Sequence, residues 1–340
     1  MSPVTEDFHS KFLNRVLPTP DYKIVQLAGD ASSRKYYRVI ADGTSWVLMR
    51  WEPFDPDNYP FLSVLNHLAK NKVRVPEVVG MDPKEGLVLL EDLGDLTLER
   101  KFWEMQNQEN VIPYYKQTLD ELAKIHHQAT DDRSKCTAFT VSFDTEKLLW
   151  EMNYGREHLL EGVLKFPFSS KQKDELQKVF INICETLHNE PKRIAHRDYH
   201  SRNVMIKFDE VRIIDFQDAR MGAIQYDLVS LLRDSYVNMN EDVADKLLNY
   251  YMDASQSYTG KKIDRDHFSE IYELQTIQRC FKACGSFASF LNQRGDKRYL
   301  KYIHHTLKKV VRSLSRFPQY QSFTEILIDS GSLEKSYENL

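Results

Sequence analysis

The sequence predicts an α+β protein of two lobes: an antiparallel five-stranded amino-terminal lobe over 1–93 and a mainly helical lobe over 94–340. Three observations predict it. Before residue 92, short β-branched and aromatic runs alternate with Gly and Asp turns. From residue 95, apolar positions recur about a helical turn apart. Inside that helical part, residues 204–213 alternate like a short hairpin turning at Asp209-Glu210, with Asp198 and Asn203 before it and Asp215 after it.

In chain order, Phe8, Phe12, Leu13 and Val16 predict a helix over 6–16. Strands are expected over 23–27, 35–40 and 45–50, the last two joined by an Asp42-Gly43 turn. Residues 58–70 carry Phe61, Leu62, Leu65 and Leu68 on one helical face, and V-R-V-P-E-V-V-G and G-L-V-L-L-E supply two further strands. Helices follow over 97–105, 111–127, 144–164, 171–188, 241–258 and 264–292. Leu300, Ile303, Leu307, Val310 and Leu314 form one apolar stripe, with Lys301, Lys308, Lys309 and Arg312 expected on a solvated face. The tail after Pro318 reads as polar and loose. His126 and His127 end a helix, where cations offset the dipole.

Composition limits what the chain can do. Of its 340 residues, 41% are hydrophobic and 28% charged, enough for a sizeable core. A net charge of −4 leaves no footprint for nucleic acid or an anionic membrane. Cys136, Cys184, Cys280 and Cys284 form no C-x-x-C pair and read as buried thiols. The amino terminus is acidic where a signal peptide is basic, and no apolar run approaches membrane-spanning length. A cytoplasmic monomer is expected.

The chemistry concentrates in residues 194–218. They hold His196-Arg197-Asp198, then Asn203, then Asp215-Phe216 after the hairpin. A hairpin sets its ends side by side, so Asn203 and Asp215 should face one site. An amide oxygen and a carboxylate are hard ligands suited to Mg²⁺, and Asp198 is left as proton acceptor for a hydroxyl nucleophile. The spacing is the H-R-D-x-x-x-x-N and D-F-x pattern of protein-kinase catalytic loops. His196 and Arg197 are expected to hold the loop in shape, and Asp227 to brace it by hydrogen bonds. Arg202 and Asp218 are candidates for contacts with the acceptor. Glu151 is a further candidate, as a sugar-binding carboxylate or as part of a solvated face.

Upstream, Gly29, Asp30, Ala31, Ser32, Ser33 and Arg34 join the first two strands. Such a loop can lay N–H groups and hydroxyls over phosphates, or be an ordinary hairpin turn. Arg50 ends the third strand where a protein kinase has lysine; it holds phosphate or is an exposed strand end. The following helix lacks the glutamate that would pair with that lysine. Glu91 and Leu93 lie on the connector that would meet an adenine edge. Only eleven residues separate Asp215 from Asp227, too few for a peptide-binding activation segment, so the acceptor is expected to be a small molecule.

The motifs G-D-A-S-S-R-K-Y-Y-R-V, L-L-E-D-L-G, H-R-D-Y-H-S-R-N-V-M and I-D-F-Q-D-A-R-M-G-A-I-Q-Y-D-L-V-S-L-L-R-D carry a family resemblance. The chain resembles the aminoglycoside phosphotransferase-like group of the kinase superfamily. Within that group it is most similar to bacterial anomeric sugar kinases acting on N-acetylmuramate and N-acetylglucosamine. The resemblance implies a bilobed protein-kinase-like fold, ATP in the cleft, and phosphorylation of the anomeric hydroxyl in cell-wall sugar recycling. Arg50 in place of lysine, the missing glutamate, and Gln217 in place of the glycine after D-F depart from the kinase pattern. Two rival readings remain: a kinase for choline, an aminoglycoside or another sugar, and a nucleotide-binding scaffold without activity.

Overall fold

A computed structural model of the chain describes residues 6–27 and 34–340. Helix α1 (Glu6–Val16) precedes strands β1 (Lys23–Gln26), β2 (Lys35–Ala41) and β3 (Thr44–Arg50). Helix α2 (Pro60–Lys70) and strands β4 (Val78–Asp82) and β5 (Leu87–Glu91) complete an antiparallel sheet of order β1-β2-β3-β5-β4. Asp42 and Gly43 take φ of 49° and 74°, so the β2–β3 hairpin closes through the left-handed turn that matches strand twist.

Alternation along the strands sorts this sheet into two faces. Val39, Leu48, Leu87 and Leu89 pack outward against Phe12 and Leu13 of α1. Met49, Val88 and Leu90 face the other way, into the core shared with α2. There Phe61 of α2 stacks on Phe216, 5.4 Å between ring centroids, so the sheet side meets the segment carrying Asp215 through an apolar contact. The connector is pinned from above. Arg38 reaches Asp92 at 2.7 Å and Asp95 at 2.9 Å.

The helical part begins with α3 (Leu98–Glu104), capped by the Thr97 hydroxyl, and α4 (Ile112–Ala123). It continues with α5 (Thr145–Gly155) and α6 (Ser170–Asn189), the latter opened by a Ser169–Gln172 capping box. Two small two-stranded sheets, β6 (Lys192–Ala195) with β9 (Arg220–Ala223) and the hairpin β7 (Val204–Lys207) with β8 (Glu210–Ile213), frame the loop over 196–203. Helices α7 (Gln225–Leu232), α8 (Glu241–Thr259), α9 (Arg265–Arg294), α10 (Ile303–Leu314) and α11 (Gln321–Asp329) complete it. Helix α9 is the axis, buried along most of its length. It crosses α5 so closely that a Cβ on Gly285 would lie 2.5 Å from the Gly155 Cα. No helix among the described residues is long and apolar enough to cross a membrane.

Four local expectations need correction. The β7–β8 turn is Phe208-Asp209, both at positive φ, one residue earlier than composition indicates. The tail after Pro318 is packed, with Phe323, Ile326, Leu327 and Tyr337 buried in the core. Lys309 leaves the solvated face of α10 and donates to the Asp234 carbonyl at 2.6 Å. His126 and His127 do not cap a helix end: α4 runs on through a π-helical segment, Lys124–Ala129, that turns both rings inward. His126 meets Asp227 and Tyr251, and His127 meets Ser255 at 2.7 Å.

That burial makes a pH prediction. Burial, then the neighbouring charges, lowers His127 to about 4. Between its ordinary value and about 4, the unfolded chain takes up a proton that the folded chain refuses. Stability should therefore be fully present above the ordinary histidine range and fall as the pH drops towards 4. Allowing for partial solvent screening, the loss is on the order of 1–2 kcal/mol. Thermal unfolding of the wild type and of His127→Gln from pH 7 to pH 4.5 measures it. The variant, which still bonds Ser255 but does not titrate, should show a shallower decline.

Candidate active site

After β6 the chain enters a tight loop whose backbone is strained at two non-glycine residues. Arg197 sits at φ 81° and Asp215 at φ 66°. Such conformations persist only where the surroundings over-determine them. Asp227, fully buried on the first turn of α7, accepts the main-chain N–H of His196 at 2.7 Å and of Arg197 at 2.9 Å. The His196 ring donates from Nε2 to the Ile214 carbonyl at 3.0 Å, tying the loop to the residue before Asp215. One turn past α7, Asp234 accepts the Ser201 N–H at 2.8 Å and its hydroxyl at 2.5 Å.

The β7–β8 hairpin brings its two ends together. The Asn203 amide donates to the Asp198 carbonyl at 2.9 Å and to the Asp215 carboxylate at 3.1 Å. Gln217 donates to the other Asp215 oxygen at 2.8 Å, which gives the residue in the glycine position a partner on the carboxylate. Asn203 and Asp215 thus offer a hard amide oxygen and a carboxylate side by side. Among the described residues no group of three His, Cys, Asp or Glu could hold a metal. Two protein ligands are what Mg²⁺ needs when phosphate oxygens and water complete its shell, so the residues present fit that ion.

Above this pair opens a cleft of about 550 Å³, lined from the sheet side by Arg34, Tyr36, Arg38 and Val47 and from below by Asn203, Asp215 and Gln217. Its rear wall is the connector, including Glu91, Leu93 and Gly94. Glu91 is held there by Lys207 at 2.8 Å. The Arg34 guanidinium lies 4.7 Å from the Trp51 ring centre. Burial raises the Tyr36 and Tyr59 phenols, and Arg34 pulls against both shifts, so it sits between them.

Asp198 is 30% exposed at the other edge of the loop. Burial alone would raise its carboxyl. Lys282, Arg197, His200 and Arg279 overcome that and hold it well below the ordinary carboxylate range. Beyond it the side chains are mostly charged. Arg197 bonds Asp218 at 3.1 Å, and Glu151, fully buried, accepts from Gln278 at 3.0 Å and lies 3.9 Å from Lys147. The close α5–α9 crossing is what lets Glu151 and Gln278 meet.

Several expected positions move. Gly29, Asp30, Ala31, Ser32 and Ser33 lie outside the described residues; Arg34 lines the cleft. Arg50 does not. It shares the outward alternation of Trp46 and Leu48 and acts electrostatically on His9 of α1, so strand parity removes it from the phosphate side. Met49, the neighbour that does point inward, is apolar, and the α2 face opposite it is apolar too. Arg202 also turns away. It forms a bidentate pair with Glu99 at 2.8 and 2.9 Å and lies 3.7 Å from the Tyr236 ring centre, outside the cleft. Glu151 is not on a solvated face.

Residue patterning alone missed Arg38, Asp234, Lys147, Arg220, Gln278, Arg279 and Lys282. A usable signal existed for the last three. They sit among Ile277, Cys280, Phe281, Ala283 and Cys284 of α9, and polar groups set among apolar ones need a reason.

A model of the phosphotransferase enzyme family matches residues 23–260. The chain is 28% identical to an N-acetylmuramate/N-acetylglucosamine kinase of Neisseria meningitidis serogroup B, over 94% of this chain and 93% of that protein. It is 27% identical to the kinase of the same description from Pseudomonas putida, over 91% and 89%. Among solved structures, a choline kinase from Cryptosporidium parvum superposes with a TM-score of 0.61 at 10% identity, covering 96% of this chain and 97% of that one. The ADP-bound aminoglycoside phosphotransferase APH(2'')-Ib gives 0.57 at 12% identity, over 95% and 99%. These two share the fold. With the family model spanning well over half its length, the chain belongs to the phosphotransferase enzyme family.

Proposed function

We propose that the protein transfers the γ-phosphoryl group of ATP to the anomeric hydroxyl of N-acetylmuramate or N-acetylglucosamine. The observation that carries this reading is the Asn203 amide, which bridges the Asp198 main chain and the Asp215 carboxylate and so sets base and metal ligands on one floor. The descriptions of the relatives supply the acceptor.

In this reading residues 1–93 hold the nucleotide, with the main chain of Glu91 and Leu93 at the adenine edge. The 29–34 loop, Arg34 above all, offsets phosphate charge, and residues 94–340 hold the acceptor. The anomeric oxygen attacks the γ-phosphorus, and the bond from that phosphorus to the β–γ bridging oxygen breaks, releasing ADP. Asp198 takes the hydroxyl proton and passes it to solvent. A carboxylate held this far down its range is a weak base, and an anomeric hydroxyl, more acidic than an ordinary alcohol, suits it. Mg²⁺ bound by Asn203 and Asp215 would neutralise charge on the phosphates. Asp218 and Glu151 contact the acceptor. The product, a sugar 1-phosphate, is the form that a nucleotidyl transfer consumes, which fits a place in cell-wall sugar recycling.

A ³¹P NMR assay with ATP, Mg²⁺ and a panel of amino sugars tests the proposal. The expected product is an acid-labile sugar 1-phosphate. A 6-phosphate would reject the anomeric assignment, and turnover of choline alone would reject the sugar.

A further inference from the structure

We infer that the acceptor side of the cleft selects a negatively charged sugar, with Lys282 and Arg220 as the residues that receive its carboxylate. This rests on the amino-sugar reading and adds a specificity that the reading does not contain.

The charges beyond Asp198 do not pair off. Lys147, Arg197, Arg220, Arg279 and Lys282 act on one another and on Asp198, Glu151 and Asp218. Arg197 takes Asp218 at 3.1 Å, Lys147 takes Glu151 at 3.9 Å, and Arg279 is anchored on the Ser230 hydroxyl against Tyr226. Arg220 donates only to the Asp218 main-chain carbonyl, at 3.3 Å, and lies 5.1 Å from the Phe143 ring centre. Among the described residues, neither Arg220 nor Lys282 forms an ion pair within 4.0 Å. Both are half-buried. A cation withdrawn from water without a carboxylate is costly, and the cost is recovered when an anion binds.

Two further observations point to a polyhydroxylated ligand in the same place. Glu151 Oε1 and the Tyr226 hydroxyl are buried with no hydrogen-bond partner among the described residues. Tyr226 lies within electrostatic reach of both Glu151 and Asp198, as does Lys282. Hydroxyl and amide groups of a sugar would satisfy the two oxygens. Trp150 is 53% exposed beside Lys147, whose ammonium lies 3.8 Å from the ring centre, and offers a flat apolar surface to a pyranose. Burial lowers Lys282 from the ordinary lysine range, against the pull of Glu151 and Asp198, as expected for a cation short of counter-charge.

Of the two sugars considered, N-acetylmuramate carries a carboxylate on its lactyl ether and N-acetylglucosamine does not. The test compares kcat/KM of the wild-type protein for N-acetylmuramate, its carboxamide (the same shape without the charge) and N-acetylglucosamine. The acid should be preferred over the carboxamide by about tenfold or more, the size of one good charge-assisted pair. Added salt should erode that preference. Lys282→Met and Arg220→Met should each bring the acid-to-carboxamide ratio towards one, whatever their effect on the absolute rate, and Arg220→Lys should retain most of it. Equal turnover of acid and carboxamide by the wild type would overturn the inference and leave the amino-sugar reading standing. Phosphorylation of none of the three would overturn both. The wild-type comparison needs no variant to fold.

Discussion

Asp198→Asn is expected to lower kcat by about 10³-fold, within the range that positioned acid–base groups contribute. An amide of the same shape can still accept a hydrogen bond from the acceptor hydroxyl, so orientation survives. What it cannot do is hold the proton once the oxygen bonds to phosphorus. Binding of ATP should change little, because the proposed phosphate contacts are Asn203, Asp215 and Arg34, which line the cleft on the other side of the loop. The fold should survive as well. The Asp198 main-chain carbonyl, which receives Asn203, is untouched by the change. Steady-state rates with saturating ATP and amino sugar, set beside far-ultraviolet circular dichroism, decide it. A folded Asp198→Asn protein within tenfold of the wild-type rate would remove Asp198 from the chemistry.

What the residues reveal without the fold is what each element carries along its own length. Strand and helix order was legible because each element carries its own period. The β2–β3 turn was legible because Asp-Gly tolerates positive φ. The catalytic floor was legible too, since its residues fall within a single stretch of chain joined by one hairpin. Motif position left Arg50 either at the phosphates or as a strand end, and strand alternation puts it on the α1 side with Trp46 and Leu48. The proposed acceptor wall, Glu151 aside, was illegible for another reason. Lys147, Glu151, Arg220, Gln278 and Lys282 come from three separate segments, α5, β9 and α9, and meet only because Gly155 and Gly285 allow α5 and α9 to touch. Spacing along a chain carries no trace of such a crossing. His126 was misread because a π-helical segment turns a residue that would have ended the helix into the interior, where it meets Asp227.

That same Asp227 yields the largest expected loss of stability. Removing its carboxylate in Asp227→Ala leaves the buried N–H groups of His196 and Arg197 without an acceptor, along with the His126 ring. Each orphaned donor costs about 1–3 kcal/mol, so the protein should lose about 3–5 kcal/mol and melt about 5 °C lower. Activity should fall as well, by about 10²-fold, for a different reason from Asp198→Asn. Arg197 holds φ 81° while Asp227 grips its N–H, and release lets the loop relax and carries Asp198 off its position by a fraction of an ångström or more. The pair of variants separates the roles. Asp198→Asn should lose rate with a much smaller fall in melting temperature, from the lost charge beside Lys282, Arg197 and Arg279, whereas Asp227→Ala should lose both heavily. Asp227→Asn belongs between them, since its amide oxygen can serve one N–H while its NH₂ faces the other. If Asp227→Ala melts within about 2 °C of the wild type, the two main-chain bonds do not hold the loop, and the strain at Arg197 must be sustained by the His196–Ile214 and Asp234–Ser201 contacts instead.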